Sequence, residues 1–456
     1  MTSTGYRHVS VRFLLVIALL AMSTAFWFME RGPLSWGFSW HYALAAILTV
    51  WYLGALFRNN RAAVFSSFYQ IYYSLGMLAS ATIVASGAPM IEIDRLGSPN
   101  GFFWLMLGIF IIGMEATVLG FRSGSSIRFG SEALRLPTVM ETTIALLLML
   151  PSILLAIYVF IRTGGPVLTG VDRVTFWREN APAGTTMVPT LIIQSFFFVA
   201  FLYLWRRRLA ENMLLPWLVV IIYVLIGIFV LGEKFSLFIV FLNSWFLVLP
   251  GVFPDFRFRT KHLIWVVVMV VLLLISLAIS YLLQDREAVF ILVRAALQSQ
   301  LLWSVVEDPA GLSLLPQRPE CYFGCGWLTD GRDFISFRYL PTSLYNHYTE
   351  VENSLSGFAP ALQLLTFGGI LTILCHLLFC FALGVLQRKV VVAIKNKQGV
   401  YGFLLVKLHA ILSVIWFSGV QTAYFGLSAA VIAILIYRFL CEMQSEAGSL
   451  QYRKVA

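Results

Sequence analysis

The sequence predicts an all-α integral membrane protein of about twelve transmembrane helices. Three observations point there. Of 456 residues, 59% are hydrophobic and only 12% are charged, whereas an ordinary soluble domain carries about a quarter of its residues as Asp, Glu, Lys and Arg. Apolar runs longer than the ~18 residues needed to cross a bilayer recur along the whole chain. Between them lie short connections of Arg, Lys, Gly and Pro, as expected where the chain turns at a membrane surface.

The runs begin near Arg12, Trp40, Ala62, Gly101, Glu141, Val188, Met213, Phe235, Leu263, Leu362, Tyr401 and Ala423. Each is about 17 to 25 residues long. The first is expected to be a retained anchor, because Trp27, Phe28, Met29 and Glu30 behind it make a poor signal-peptidase site. An even count places both termini on one side of the membrane. Basic residues choose the side: Arg7 and Arg12, Arg58 and Arg61, Arg122, Arg128 and Arg135, and Arg206 to Arg208 fall on alternate loops. Arg257, Arg259 and Lys261, then Arg388, Lys389, Lys395 and Lys397, then Arg438, Arg453 and Lys454 continue the alternation. By the positive-inside rule these loops and both termini are cytoplasmic. The net charge of +10 therefore reports topology and gives no reason to expect a nucleic-acid partner. The whole chain, 1–456, reads as one multi-pass domain; in a Gram-negative cell it would lie in the inner membrane with its opposite face in the periplasm.

Two loops on that opposite face are long. Thr163 to Met187 spans about 25 residues and Gln284 to Ala361 about 77, against a usual helix connection of 2 to 8. Within the first, Arg173 and Arg178 stand among aromatics and glycines. Cations here run against the positive-inside trend, and a guanidinium forks onto phosphate oxygens at any working pH. A lipid pyrophosphate is the partner this suggests; the plainer reading pairs the two arginines with Asp172 and Glu179 or leaves them at the headgroup level. Lys234 follows Gly232 and Glu233 in a short turn between two apolar runs, with pairing to Glu233 as its plainer role.

At the start of the large loop, Glu287, Arg294 and Gln298 are spaced to share one helix face, with Phe290, Leu292, Val293, Leu297 and Leu301 around the rest. This predicts an amphipathic helix on the membrane face. The loop ends Leu344-Tyr345-Asn346-His347-Tyr348-Thr349-Glu350-Val351-Glu352-Asn353. Such a mix suits a sugar, which takes stacking faces and hydrogen bonds, and Tyr345, Asn353 and Gln298 are its expected contacts. His347, Glu350 and Glu352 are candidates for a general base, against the commoner case of a structural histidine. Glu92-Ile-Asp94 has an acid-x-acid spacing that holds a divalent cation in some lipid-linked glycosyltransferases; one such triplet is a weak sign. Glu115, Lys407 and His409 within apolar runs imply a polar cavity or an intramembrane ion pair. Cys321 and Cys325 either oxidise to close a tight loop or stay as free thiols.

With the loops placed, the chain resembles the Wzy-type O-antigen polymerases, which lengthen bacterial surface polysaccharide in the periplasm. The resemblance is spread over most of the chain, with the sharper motifs between Gly164 and Gly369. Arg173, ten residues and Gly184 fit an Arg-x10-Gly pattern, Gly232-Glu233-Lys234 fits a Gly-x-Arg/Lys turn, and Arg294 stands where the family has an arginine early in its large loop. The sequence departs there, since the first glycine after Arg294 is Gly311. The stretch from Asn353 through Pro360 to Gly368 and Gly369 is similar to the end of that loop. The resemblance implies a GT-C-like glycosyltransferase that needs no metal. Arg178, Arg294, Lys234 and Arg173 would hold the pyrophosphate of an undecaprenyl-linked donor. A second lipid-linked repeat is the acceptor, and membrane lipids and a polysaccharide chain-length regulator are the expected partners. The O-antigen ligases share this architecture, and Asn346-His347 is similar to part of a motif they carry. A transporter or flippase is the reading from another class, supported by the span count and by Glu115 and Lys407, against the length of the 284–361 loop and the lack of an internal repeat.

Overall fold

A computed structural model of the chain describes residues 3–32, 40–124, 138–171, 173–189, 191–192, 222–223, 225–232, 236–252, 293, 295–326, 328, 331–350, 359–396, 398–419 and 426–436. Along it run α1 (Ser3–Arg31), α2 (Trp40–Ser66), α3 (Phe68–Ala85), α4 (Phe102–Ser123), α5 (Thr138–Thr163), α6 (Gly165–Thr169), α7 (Arg173–Thr175), α8 (Ser236–Val252), α9 (Gln300–Glu307), α10 (Gly331–Tyr339), α11 (Thr342–Glu350), α12 (Ala361–Lys395) and α13 (Gly399–Ser413). Among the described residues six helices are long and apolar enough to cross a membrane: Val11–Arg31, Trp40–Ser66, Phe102–Ser123, Leu150–Thr169, Ala361–Lys395 and Tyr401–Ser418. The expected run at Leu263 and nearly all of that at Val188 lie outside the described residues, and of the run at Met213 only 222–223 and 225–232 lie within them. Those at Phe235 and Ala423 correspond to the shorter apolar helices Leu242–Val252 and Gly426–Ile436.

The chain forms two compact units. One comprises 1–123, 287–385 and 412–423, the other 124–286, 386–411 and 424–456. In the first, α4 is the hub: 67% of its most apolar stretch is buried, against 17% for α1, because α1, α2 and α3 all pack on it. Arg12 of α1 and Glu115 of α4 form an ion pair, and Tyr52 of α2 donates to the same carboxylate at 2.9 Å. Of the two explanations for a carboxylate in this run, the ion pair is the one observed. The loop expected around Arg58 and Arg61 is instead a kink inside α2. A single non-helical residue, Asn60 (φ −140, ψ 43), turns the helix, and its side-chain oxygen accepts from Arg122 at 2.7 and 3.0 Å. The third apolar run therefore begins as α3 at Phe68 and not at Ala62. Its polar side chains face protein: Gln70 lies 2.9 Å from the Thr117 hydroxyl and Ser80 2.7 Å from that of Ser299.

A short hairpin interrupts the all-α pattern. Residues Pro89–Met90 pair antiparallel with Arg95–Leu96, and Asp94 takes a left-handed φ of 51 in the turn. The large loop is folded against this unit. Where an amphipathic helix was expected to run on through Leu301 along the membrane, the described part breaks at Ser299 (φ −116, ψ 0). Ala296, Leu297 and Leu301 are buried, and in α9 only the terminal Glu307 is exposed, so the helix has no apolar face left for lipid. Cys321 and Cys325 are joined as a disulfide.

In the second unit, Phe176, Trp177, Val188, Tyr223 and Ile226 form one core with Ala156 and Val159 of α5. Another joins Leu247 and Val248 of α8 to Val390 and Ile394 of α12 and Val406 of α13. Gly251 lets these helices close, since a Cβ there would stand 2.7 Å from that of Ile394. His409 is buried beside the Gln387 amide, at 3.2 Å.

Candidate functional site

The residues singled out for chemistry divide between the units. In the second, α5 ends on Gly164 and Gly165, both left-handed at φ 78 and 70. A Cβ on Gly165 would lie 2.6 Å from the Phe229 carbonyl oxygen, so the turn requires glycine both for its backbone angle and for its packing. Two π-helical turns then meet. Ala181 N–H donates to Phe176 O at 2.8 Å, and Leu231 N–H to Ile226 O at 3.1 Å. The Trp177 indole donates to Leu231 O at 3.4 Å, tying one turn to the other. Gly232 (φ 66) follows directly, and a Cβ on it would stand 3.1 Å from the Cβ of Arg173.

The arginine loop and the Gly232 turn, which the sequence presents as separate motifs, are thus packed against each other. Phe176 and Trp177 are buried while Arg173 and Arg178 on either side are exposed. Two cations stand at the rim of an aromatic anchor, each with polar or electrostatic neighbours of its own. Lys234, Arg294 and Asn353 lie outside the described residues.

In the first unit, α11 carries Tyr345, His347 and Glu350. Tyr345 is buried and meets Phe337 edge-on at 5.4 Å. His347 and Glu350 are exposed and three residues apart on one helix face, where Cβ atoms are about 5–6 Å apart. Tyr348 donates to Glu92 at 2.9 Å, and the Gln300 amide donates to the other Glu92 oxygen. Gln298 is exposed just before α9. Glu92 therefore fastens α9 to α11, and its acid-x-acid partner Asp94 is exposed in the hairpin turn. Among the described residues no three His, Cys, Asp or Glu side chains gather as a metal-holding group.

A second carboxylate joins the end of α9 to α10. Asp308, which follows α9, accepts from Arg338 at 2.6 and 2.8 Å, from Tyr339 at 3.0 Å and from Ala310 N–H at 2.9 Å. Burial alone would raise its pKa; the hydrogen bonds from Arg338, Ala310 and Tyr339 outweigh that and hold the carboxyl below its usual 3.8.

Two buried clusters were not expected from the sequence. Glu30, at the end of α1, accepts from Tyr42 at 2.6 Å, Trp104 at 2.9 Å and Gly101 N–H at 2.9 Å, with His41 at 3.3 Å. The only sign in the sequence is an acid closing an aromatic run. His376 of α12 accepts the Trp416 indole proton on Nδ1 at 2.8 Å, which leaves Nε2 carrying the ring proton toward Cys380 Sγ at 3.5 Å. A cavity of about 20 Å³ lies beside it, lined by Tyr73, Gln363, Thr372 and Trp416 among others. Comparison of the chain with family models, with curated proteins and with solved structures gives no match in any of the three.

Proposed function

We propose that this chain is a membrane glycosyltransferase that joins undecaprenyl-pyrophosphate-linked oligosaccharide repeats into a lipid-linked polysaccharide, an O-antigen polymerase of the bacterial inner membrane. The observation that carries the reading is the packing of Arg173 on Gly232. It unites the arginine loop with the turn whose sequence continues to Lys234, and it leaves Arg173 and Arg178 exposed beside buried Phe176 and Trp177. In the topology that accompanies this reading there are twelve spans, both termini are cytoplasmic, and loops 163–187 and 284–361 are periplasmic.

The donor pyrophosphate is held by Arg173, Arg178, Lys234 and Arg294. The acceptor hydroxyl gives its proton to His347 or Glu350. Its oxygen bonds to the anomeric carbon of the donor sugar as the bond from that carbon to the pyrophosphate oxygen breaks, and undecaprenyl pyrophosphate leaves. Negative charge grows on the leaving group in the transition state, so fixed cations accelerate the step. Tyr345, Gln298 and Asn353 belong to the sugar-binding face, with Tyr345 acting through its packing against Phe337 of α10. No metal or cofactor takes part.

A ligase would use the same donor and transfer the glycan to lipid A core. A transporter is the reading favoured by the Arg12–Glu115 pair, a half-buried charge couple between two apolar helices, of the kind that lines ion pathways. The surface glycan separates all three. Cells lacking the chain are expected to show core capped with one repeat, whereas bare core would mean a ligase. Accumulated lipid-linked repeats on the cytoplasmic side would mean a flippase. In the Arg178→Ala, Arg294→Ala double variant each lost contact is worth about 1.5 to 3 kcal/mol, so chain extension should fall by an order of magnitude or more. Lysine at the same positions should rescue it only in part, because the ammonium lacks the two-pronged geometry. Normal long chains from the double variant at wild-type protein levels would refute the arginine clamp.

A further inference from the structure

α12 is broken near its start. Gly368 takes φ 71, ψ 170 inside an otherwise helical span, and such a break deprives the following N–H groups of their helical acceptors. The large loop supplies replacements: Gly369 N–H donates to Ser313 O at 2.8 Å and Ile370 N–H to Leu314 O at 3.2 Å. A Cβ on Gly368 would collide with the Leu315 carbonyl oxygen, so the residue at the break must be glycine for its backbone angle and for the approach of the loop. The next turn of the loop is fastened to the same place, with the Tyr322 ring 4.8 Å from that of Phe367. Segment 313–323 is therefore clipped onto the helix at positions 367–370.

Three side chains of this clip are apolar and uncovered, on either side of the exposed polar stretch that holds Gln317, Arg318 and Glu320. Leu314 is 68%, Leu315 67% and Phe323 64% exposed. They continue an exposed apolar face of α12 itself, formed by Ile370, Leu374 and Leu378 at 50%, 51% and 70%, which are spaced four apart and so lie on one side of the helix. Depth can be read from the helix. Counting back from Arg388, the first cation at its far end, Gly369 is roughly 19 residues away, about 28 Å at 1.5 Å per residue. The hydrocarbon core is about 30 Å thick, which puts the clip at its opposite edge. Irregular backbone is tolerated at that level only when its polar groups are bonded within the protein, and here the carbonyls of Ser313 and Leu314 are.

We infer that segment 313–323 is a membrane-seated wedge: Leu314, Leu315 and Phe323 are inserted among lipid acyl chains at the bilayer edge, held there by the two hydrogen bonds to the break in α12. The occupant of the patch is lipid because the patch is continuous with the lipid-facing side of a membrane-length helix. The inference rests on α12 crossing the membrane and not on the reaction proposed above. A glycosyltransferase, a ligase and a transporter would all carry the wedge.

The test uses the full-length chain in liposomes of phosphatidylethanolamine and phosphatidylglycerol, and in native membranes. The photocrosslinker benzoylphenylalanine replaces Leu314, Phe323, Leu378 or Gln317 one at a time, and lipid adducts are counted by intact mass. Leu378, within the span, reports that each preparation is folded and embedded; Gln317, in the same loop and exposed, reports the loop's watery side. Lipid adducts at Leu314 and Phe323 should match those at Leu378 and exceed those at Gln317 about tenfold, since insertion of this kind reaches only about 5–10 Å into the bilayer. Equal yields at Leu314 and Gln317 with Leu378 labelled would overturn the wedge. So would adducts from Leu314 to a protein chain in native membranes with none to lipid in liposomes.

Discussion

Glu30, at the end of α1, uses both carboxylate oxygens on partners from two other places in the chain: the start of α2 with His41 and Tyr42, and the start of α4 with Gly101 and Trp104. Phe26 stacks on His41 at 4.5 Å and on Trp104 at 4.8 Å, closing the group from outside. A buried donor left without its acceptor costs about 1–3 kcal/mol, so Glu30→Leu, which strands several at once, should lower the apparent melting temperature in detergent markedly. Glu30→Gln keeps one acceptor oxygen and should lie between the two. Equal melting curves for wild type and Glu30→Leu would refute the structural role. The acid was legible in the sequence, but its partners were not, because they are brought together only when three helix ends meet.

Between elements, glycine decides how near two helices come. On Gly384 of α12 a Cβ would collide with the Thr117 carbonyl of α4, and on Gly120 of α4 with the Phe381 carbonyl of α12. This is the small-residue packing by which helices associate in lipid, where the hydrophobic effect gives no drive. Gly384→Ala should therefore destabilise the protein, since overpacking costs typically 1–3 kcal/mol. Gly76→Ala in α3, where nothing lies within 4 Å of the new atom, should be neutral or stabilising by its helix propensity. Thermal unfolding of the two variants side by side is the check, and reversal of their order would count against the crossing.

The Asp308–Arg338 contact joins the end of α9 to α10 and gives the large loop a pH dependence. Because the folded carboxyl titrates below its unfolded 3.8, its contribution is complete above pH 3.8 and is lost as the pH falls through the lower folded value. Proteolysis of the loop should accelerate across that window in wild type. In Asp308→Asn the rate should show no such step.

For the whole molecule, the alternation of basic loops predicts orientation. Reporters fused near Arg207 or Lys395 should remain cytoplasmic and one near Cys325 should be exported; the reverse labelling would overturn the roles given to both long loops. The sequence by itself determined that the chain is helical and apolar at membrane length. That property depends only on composition along consecutive residues, so Arg12, Trp40, Gly101, Leu362 and Tyr401 mark helices that the structure contains. It also isolated Arg173 and Gly232 as unusual, since each is conspicuous without knowing its neighbours. Tertiary structure alone decided the rest. The kink at Asn60 is associated with Arg122 of another helix, the break at Gly368 is completed by carbonyls of the large loop, and the helix expected on the membrane at Leu297 and Leu301 is buried because α9 is enclosed by its unit. Each of these depends on a partner distant in sequence, and a hydrogen bond or steric contact between distant residues exists only after the chain has brought them within a few ångströms.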